Sequence, residues 1–351
     1  MTATKIRVDH RELQRFVADA FRAKGMRGDD AATVADVLVW ANLRGIESHG
    51  VSRVPRYLEI LEHGDMDPAA RPEPRRLSDS LFLLDAAKAA GPVAMKRAVA
   101  EALAMVQHSG LCLGVVSRTT HAGAIGHYAQ SIALQGHAAI VIASGLPNMA
   151  YHGTRVPSVS TSPIAIAVPS QRYGAVILDM ATAVAAFGRI TQARLAGQPI
   201  PPGWALAKDG SPTTDPAAAD IMLPLGGPKG SGLALMFECL TGLIPAAPIL
   251  SRLVMGTAPK RPNAQNAMLI AIDIARFRPL DEFRHDVDDL ASMLKGLPRG
   301  PDVDEVLLPG ERGQRTEAAR LRDGVPLPSR LWQQLGETAA RLGLSLPTPQ
   351  A

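Results

Sequence analysis

The stretch LCLGVVSRTTHAGAIGHYAQSIALQGHAAIVIAS, residues 111–144, determines the fold class of this chain. Its apolar runs at 111–118 and 138–144 predict two strands, because short apolar runs bounded by turn residues are typical of buried strands. The segment from about residue 123 to residue 135 predicts a helix between them. Strands that alternate with helices indicate an α/β fold.

The same alternation continues on both sides of this stretch. A helix is predicted from Pro92 to Gln107 before it, and another is predicted to begin near Lys229 after it. A helix after the strand predicted at 175–180 is expected to run through Ile190. The polar residues 200–217 predict a long loop. The remaining apolar runs predict strands at 163–169, 175–180 and 267–275.

Both ends of the chain predict helices. Asp9, followed three positions later by a glutamate, predicts an N-cap, and apolar residues at helical spacing follow it up to Gly25. A second helix is predicted to stop at Gly45 and a third to cover 54–62. Residues 65–80 are rich in proline and charge and predict a connector, whereas the chain beyond residue 279 returns to helices.

Composition limits the classes of function. The chain has 351 residues and a net charge of +4, and its basic residues form no run, so nucleic-acid binding is not indicated. The chain has only two cysteines, no apolar signal segment and no apolar run of the ~18–20 residues that a membrane helix needs. These features predict a cytoplasmic protein without a membrane contact. The nine histidines show no metal-ligand spacing, so no metal is expected.

The stretch RGIESHGVSRVPRY gathers five polar side chains at the end of a predicted helix: Ser48, His49, Arg53, Arg56 and Tyr57. The last three fall at i, i+3 and i+4, on one helical face. An arginine there could bind a substrate carboxylate through two hydrogen bonds. The alternative is that the serines cap the next helix and that the arginines are solvated.

Two further segments place a titratable side chain directly after a strand. His121 lies in a glycine-rich turn before a helix, where it could accept or donate a proton near neutral pH, or could cap its own helix. Asp179 could accept from a ribose hydroxyl or orient a histidine, or could be an N-cap. His127, inside the predicted helix, is interpreted as structural.

The segment LPLGGPKGSGLALMFECL, residues 223–240, puts four glycines and Lys229 before an apolar helix. Such a loop suits a phosphate or carboxylate, or is a tight turn with an exposed lysine. It matches neither the phosphate-binding P-loop nor the dinucleotide fingerprint. A G-x-S-x-G nucleophile turn is also missing, and the neighbours Ser48 and His49 cannot easily pair within one regular helix, so a hydrolase is a weak alternative.

Taken in order, these motifs resemble the type-2 malate/L-lactate dehydrogenase family of NAD(P)-dependent oxidoreductases. The family includes ureidoglycolate and sulfolactate dehydrogenases and Δ1-piperideine-2-carboxylate reductase. The resemblance covers nearly the whole chain. The matching segments are RGIESHGVSRVPRYLE, THAGAIGHYA, STSPIAIAVP, LDMATAVAAFGRI, GWALAKDGSPTTDPAAA, LPLGGPKGSGLALM and LPGER with GVPLP.

The resemblance implies an α/β fold with a mixed sheet and a non-Rossmann cofactor domain over 76–295. The helical parts 1–75 and 296–351 would pack together as a second domain. It also implies NAD or NADP as cofactor, a small carboxylate substrate and a homodimer. Hydride would pass between the nicotinamide and the α-carbon of a 2-hydroxy or 2-oxo acid. The alternatives are reduction of cyclic 2-imino acids and, more weakly, a hydrolase that uses Ser48.

The resemblance also assigns roles to single residues. His121, or else His49 with Ser48, would be the acid/base, while Arg53 would hold the substrate carboxylate beside Tyr57. The residues expected to line the cofactor are Ser160, Thr161, Asp179, Met180, Ala181, Lys229, Gly230, Glu311 and Arg312.

Two segments depart from the pattern of many relatives. Ala122 follows His121 where many relatives have phenylalanine, so the substrate pocket is expected to differ in shape. Ser162 stands where many have asparagine, which removes a side-chain amide from the cofactor turn.

Overall fold

The computed structural model describes residues 5–250 and 265–350, which form a mixed α/β fold. The strands are β1 (Lys5–Val8), β2 (Pro74–Arg76), β3 (Leu81–Asp85), β4 (Leu111–Thr119), β5 (His137–Ser144), β6 (Met149–Ala150), β7 (Pro157–Val159), β8 (Ile164–Ser170), β9 (Gly174–Met180), β10 (Ala205–Ala207), β11 (Pro212–Thr213), β12 (Ala219–Met222), β13 (Gln265–Asp273) and β14 (Val325–Pro328). The helices are α1 (His10–Arg22), α2 (Gly28–Leu43), α3 (Val54–Glu62), α4 (Gly91–Ser109), α5 (Gly126–Ala133), α6 (Phe187–Ala196), α7 (Pro228–Glu238), α8 (Leu280–Gly296), α9 (Glu311–Asp323) and α10 (Ser329–Leu342). Within these described ranges, none of the helices is long and apolar enough to cross a membrane.

The N-terminal helices begin and end where local chemistry predicts. The Asp9 side chain accepts from the backbone N–H of Arg11 at 2.8 Å and of Glu12 at 3.1 Å, which satisfies two free donors of α1. Gly45 takes a φ of +77° just after α2, a conformation that glycine adopts without strain. The helix predicted at 54–62 is confirmed as α3.

A seven-stranded sheet with the order β2-β3-β4-β13-β5-β8-β9 forms the centre of the fold. β3 and β4 pair in parallel, while the other neighbours in this sheet are antiparallel. Side chains alternate between its two faces, as the pleat requires. One face packs on α4 and α5 and contributes Phe82, Val116, Val141 and Leu269 to a buried core. The opposite face is covered by α7 through Phe237.

A second core joins the two ends of the chain. β1 pairs antiparallel with β14, with Lys5 opposite Pro328. Above this two-stranded sheet, α1, α2 and α3 bury apolar side chains against α10, as with Phe21 and Leu38 on one side and Leu335 on the other. Burial of an aliphatic or aromatic side chain stabilises by about 1.5–3 kcal/mol, so this cluster is a substantial source of stability.

A smaller sheet with the order β11-β10-β12-β6-β7 lies beside the central one. Its strands are two to four residues long, and β10 and β11 fall in the 200–217 segment that was predicted to be a loop. That prediction was wrong because strands of two or three residues carry no periodic pattern. The helix predicted to run through Ile190 begins only at Phe187. Part of the predicted strand at 267–275 is confirmed within β13.

Arg44, just after α2, joins segments that are far apart in sequence. Its guanidinium is buried, pairs with Glu317 of α9 at 2.8 Å and donates to the Gly310 carbonyl at 3.0 Å. It also lies 5.2 Å from the ring centre of Trp40, in cation–π geometry. Because a buried charge needs its partners, these contacts hold α9 and its preceding loop against α2.

We therefore expect Arg44→Met to lower the free energy of unfolding by about 1.5–3 kcal/mol, the usual contribution of hydrogen bonds to a charged group. Arg56→Met is the matched control, because Arg56 pairs with Glu59 at 2.6 Å on the surface and should change stability by about 0.5 kcal/mol or less. Urea unfolding followed by circular dichroism measures both. Equal losses in the two variants would contradict the junction role of Arg44.

Candidate active site

A tight turn after α2 carries Ser48 and His49. Two consecutive 3-10 turns, Glu47–His49 and Val51–Arg53, link α2 to α3. The Asn42 side chain accepts from the Val51 N–H at 2.7 Å, and a Cβ on Gly50 would lie 2.0 Å from that same oxygen. A side chain at position 50 would displace Asn42 from this hydrogen bond, so the turn that carries Ser48 and His49 depends on Gly50.

The Ser48 and His49 side chains are hydrogen-bonded to each other, with 3.0 Å between Oγ and Nδ1. The limit expected for neighbours within one regular helix does not apply to them, because the segment is a 3-10 turn and not an α-helix. In the described residues His49 Nε2 has no carboxylate partner. A serine hydrolase triad needs such an orienting group, so the pair alone does not form one.

His121 lies in the loop between β4 and α5, where the start of α4 packs against its backbone. A Cβ on Gly91 would lie 2.3 Å from the His121 carbonyl oxygen, and the Gly91 N–H donates to Thr120 Oγ1 at 2.9 Å. Gly91 was not singled out in the sequence. Its only local signal is the Gly-Pro pair that starts a helix, and the need for glycine appears only when α4 meets this loop.

The fold brings the two predicted catalytic histidines together. The rings of His49 and His121 are stacked, with 5.3 Å between their centres and an angle of 27° between their planes. Each ring uses Nδ1 for a hydrogen bond to a hydroxyl group, from Ser48 and Tyr57 respectively. Over the described part of the chain neither Nε2 has a protein partner, so both are available to a substrate.

The surroundings of the two rings disfavour positive charge. Burial, together with the nearby charge of Arg53, lowers the pKa of His49 to about 4. Burial and then the charges of His49 and Arg53 hold the pKa of His121 well below its ordinary value of 6.5. Both imidazoles are therefore neutral at pH 7 and can accept a proton.

Arg53 and Tyr57 lie near these rings in different ways. Arg53 Nε donates to the Ser48 carbonyl at 2.6 Å, which leaves the two terminal nitrogens for a carboxylate. Tyr57 was predicted to contact the substrate, but it is only 1% exposed and its hydroxyl lies 2.6 Å from His121 Nδ1. Arg56 pairs with Glu59 outside the site. The three side chains predicted on one helical face, those of Arg53, Arg56 and Tyr57, therefore do not form one binding face.

Asp179, at the end of β9, connects the histidine loop to the strands beyond it. Its Oδ2 accepts from the backbone N–H of Gly126, the first residue of α5, at 2.9 Å. Asp179 therefore does bond to a free N–H group at the start of a helix, as the N-cap alternative expects. The helix is α5, which comes before Asp179 in the chain. Burial raises the pKa of this carboxyl group to about 6, against the opposing effects of the Gly126 N–H and of Arg44.

The predicted cofactor segments meet directly beyond Asp179. The Thr182 carbonyl accepts a hydrogen bond from the Leu225 N–H at 2.8 Å. The Thr182 N–H donates to the Thr161 carbonyl at 3.0 Å. A Cβ on Gly230 would lie 2.3 Å from the Thr182 carbonyl oxygen, so glycine lets α7 approach this point. Met180 pairs with Ile164 in the register of β8 and β9. Segments 160–164, 179–183 and 224–230 therefore form one cradle.

Two buried hydroxyl groups in this cradle have no hydrogen-bond partner among the described residues. They are Ser162 Oγ and Thr182 Oγ1, both on side chains with 0% exposure. Ser160 Oγ accepts from the Ser162 N–H at 3.3 Å, and Ala181 directly precedes Thr182. Buried hydroxyls normally have partners, so these two are suited to a polar ligand.

Lys229 lies at the start of α7, with an exposed side chain. The N–H groups of Lys229, Gly230 and Ser231 already donate to carbonyls of the preceding loop. These three N–H groups are therefore not free to bind an anion. What this helix start offers is the ammonium group of Lys229 and the positive end of the helix dipole.

Glu311 and Arg312, also predicted to line the cofactor, have other surroundings. The Glu311 carboxylate is buried and bonded to Lys295 Nζ of α8, to Arg315 of α9 and to the Leu308 N–H of the loop between these helices, so its oxygens are satisfied. Its contacts do not support a cofactor role. The side chain of Arg312 lines a separate pocket of about 470 Å³ between the two chain ends. His127 pairs with Asp36 at 3.1 Å and is structural, as interpreted.

No group of three or more histidine, cysteine, aspartate or glutamate side chains within residues 5–250 and 265–350 could hold a metal ion. Cys112 is buried and burial raises its pKa to about 11, so its thiol is not reactive. The polar groups that come together are thus the imidazoles of His49 and His121 and the guanidinium of Arg53, while the Asp179 carboxyl group lies at the start of α5, beside the cradle.

Comparison with known proteins gives the family. The malate/L-lactate dehydrogenase family model matches residues 8–336. The chain is 34% identical to L-sulfolactate dehydrogenase of Methanocaldococcus jannaschii over 95% of this chain and 96% of the relative. It is 30% identical to ureidoglycolate dehydrogenase (NAD(+)) of Escherichia coli K12, over 94% and 95%. The structure of malate dehydrogenase from Pyrococcus horikoshii OT3 is similar at a TM-score of 0.88, with 29% identity and 98% of each chain covered. The chain therefore belongs to the malate/L-lactate dehydrogenase family of oxidoreductases.

Proposed function

We propose that the protein transfers hydride between NAD(P) and the α-carbon of a small 2-hydroxy or 2-oxo acid. The observation that carries this proposal is the stacked pair of neutral histidines, with free Nε2 atoms, beside the guanidinium of Arg53. A proton acceptor next to a carboxylate-binding arginine is what a 2-hydroxy acid requires, because its carboxylate and its reacting hydroxyl are on adjacent carbons.

The cradle beyond Asp179 fits a nicotinamide nucleotide in the chemistry of its groups. The unpartnered hydroxyls of Ser162 and Thr182 suit amide or ribose groups, and Asp179 offers a second carboxyl oxygen to a ribose diol. Lys229 suits the diphosphate. When bound, the nicotinamide supplies or takes up the hydride, and the protein supplies position and one proton.

The substrate would be held by Arg53 and deprotonated by a histidine. The two terminal nitrogens of Arg53 bind the carboxylate and so bring the 2-hydroxyl to the imidazoles. In oxidation, His121 Nε2 accepts the hydroxyl proton as the C2–H bond breaks, and in reduction it returns that proton to the oxygen. Since burial keeps His121 neutral at pH 7, oxidation should be limited by its protonation only well below pH 6.5.

The proposed domain organisation has a cofactor domain at 76–295 and a helical domain from residues 1–75 and 296–351. The shared core of α1–α3 with α10 and the pairing of β1 with β14 support the helical domain. The mostly antiparallel central sheet and the missing glycine fingerprint support a cofactor fold unlike the parallel dinucleotide-binding fold.

Homodimer formation is supported by the outer face of α7. This helix covers the central sheet, yet Leu233 and Met236 on its surface are 43% and 54% exposed. A helix that is apolar all round is usually buried, so a second copy would cover this face.

Light scattering after gel filtration should give twice the mass of one chain. We expect Leu233→Glu with Met236→Glu to halve it, whereas Leu77→Glu, at an exposed leucine elsewhere, should not; a wild-type monomer would contradict the proposal.

Cofactor binding is the first test of the function. At about a hundredfold over the Kd, NADH or NADPH should stabilise the native state by ~2.7 kcal/mol, seen as a rise in the melting temperature. The preferred nucleotide is then assayed with 2-hydroxy acids, 2-oxo acids and cyclic 2-imino acids, which separates dehydrogenase from imine reductase. If neither nucleotide shifted the melting temperature, the proposed function would be rejected. If the wild type hydrolysed esters and Ser48→Ala lost that activity, the hydrolase alternative would be favoured instead.

Substitution of each histidine distinguishes their roles. We expect His121→Ala to lower kcat for oxidation by ~10²–10⁴-fold, the usual contribution of a general base, while the nucleotide still stabilises the protein. His49→Ala is the matched variant, because it removes the neighbouring ring but leaves Tyr57 and His121 paired. Wild-type kcat in His121→Ala at every pH, together with a loss in His49→Ala, would transfer the acid/base role to His49.

A further inference from the structure

The hydroxyl of Tyr57 is fully enclosed and bonded to one side of His121. We propose that Tyr57 is a positioning residue that fixes the tautomer of His121, with the proton on Nδ1 and the lone pair on Nε2. The catalytic consequence rests on the proposed function, whereas the tautomer itself can be measured without any substrate or cofactor.

Three groups meet at the inner edge of the His121 ring. Tyr57 Oη lies 2.6 Å from Nδ1 and 2.9 Å from the carbonyl oxygen of His121 itself. The Gly123 N–H points to the same place, 3.3 Å from Nδ1. Burial raises the pKa of Tyr57 well above its ordinary value, against opposing effects of Arg53 and of a hydrogen bond from the Gly123 N–H. The phenol is therefore neutral and has a single proton to donate.

That single proton can satisfy only one of the two acceptors. If Tyr57 donated to Nδ1, the His121 carbonyl would lose its donor, since no other donor in the described residues reaches that oxygen. The oxygen faces the start of α4, where Gly91 packs closely against it. A buried carbonyl without a partner carries the full cost of its lost hydration. Donation to the carbonyl avoids this cost.

The second arrangement satisfies every group. Tyr57 O–H donates to the His121 carbonyl, and Nδ1–H of the ring donates to the phenol oxygen at 2.6 Å. The two lone pairs of that oxygen accept from Nδ1–H and from the Gly123 N–H, which lies 3.3 Å from Nδ1 and also hydrogen-bonds to Tyr57. Nε2 then carries the lone pair, on the side of the ring that has no partner within the described chain.

Such a partner differs from the carboxylate that commonly orients a catalytic histidine. A carboxylate also stabilises the imidazolium form and raises its pKa, while a neutral phenol orients the ring without that charge. His121 is thereby kept as a proton acceptor at neutral pH. The Ser48 hydroxyl bonded to His49 Nδ1 imposes no such choice, because it can donate or accept.

The direct test is the nitrogen NMR spectrum of the whole protein labelled with ¹⁵N-histidine, at pH 7 without ligand. Chemical shifts distinguish protonated from unprotonated ring nitrogens, and His121→Gln identifies the signals of His121. We expect a protonated Nδ1 and a bare Nε2 in the wild type. Tyr57→Phe should move the population toward Nε2–H. Tyr128→Phe is the matched control, because its equally buried hydroxyl donates to the Ala122 carbonyl at 2.5 Å and does not touch the ring.

The kinetic test uses the same variants. The tautomer ratio does not depend on pH, so Tyr57→Phe should lower kcat for oxidation by at least about tenfold, a part of the ~10²–10⁴-fold that a general base supplies. The loss of kcat should be the same at every pH above the titration of His121. The KM and the melting temperature of Tyr128→Phe serve as references for those of Tyr57→Phe.

Two outcomes would overturn the proposal: a protonated Nε2 in the wild type, or a Tyr57→Phe variant with an unchanged tautomer. A loss of kcat that varied with pH would also overturn it, because that result means a changed pKa and not a changed tautomer. If the tautomer is as expected but no hydroxy acid is oxidised, the proposed function fails while the role of Tyr57 stands.

Discussion

The buried guanidinium of Arg44 is the group on which the arrangement of the site depends. It pairs with Glu317, donates to the Gly310 carbonyl and lies close enough to Asp179 to lower its pKa. Its backbone begins the turn that carries Ser48 and His49. A charge enclosed in protein must keep its hydrogen bonds, so the three segments around it cannot move independently.

Desolvation is what makes the assembled groups chemically useful. In water an imidazole is partly protonated near neutral pH, but burial beside Arg53 makes His49 and His121 stay neutral. The same burial raises the pKa of Asp179 to about 6. Two neutral proton acceptors and one cation then lie close together, which is the combination that the proposed oxidation of a hydroxy acid needs.

The site was predictable wherever a short motif keeps its meaning after folding. His49, His121 and Arg53 lie together as expected, because each follows the end of a helix or strand. The hydrogen bonds of Tyr57 and Glu311 differ from those expected, since a motif gives the residue type but not the direction of its side chain. The short strands β10 and β11 were missed because two or three residues carry no periodic pattern, although they pair with each other and β10 also pairs with the nearby β12.

The sequence by itself determined the family, the mixed α/β class and the main helices and strands, because amphipathic periodicity and turn residues act locally. Only the tertiary structure decided that Gly91 must lack a side chain, that Ser48 bonds to His49 and that Tyr57 holds His121 from behind. Each of these depends on contacts between residues far apart in the chain or on an irregular turn, and no local pattern encodes such distances.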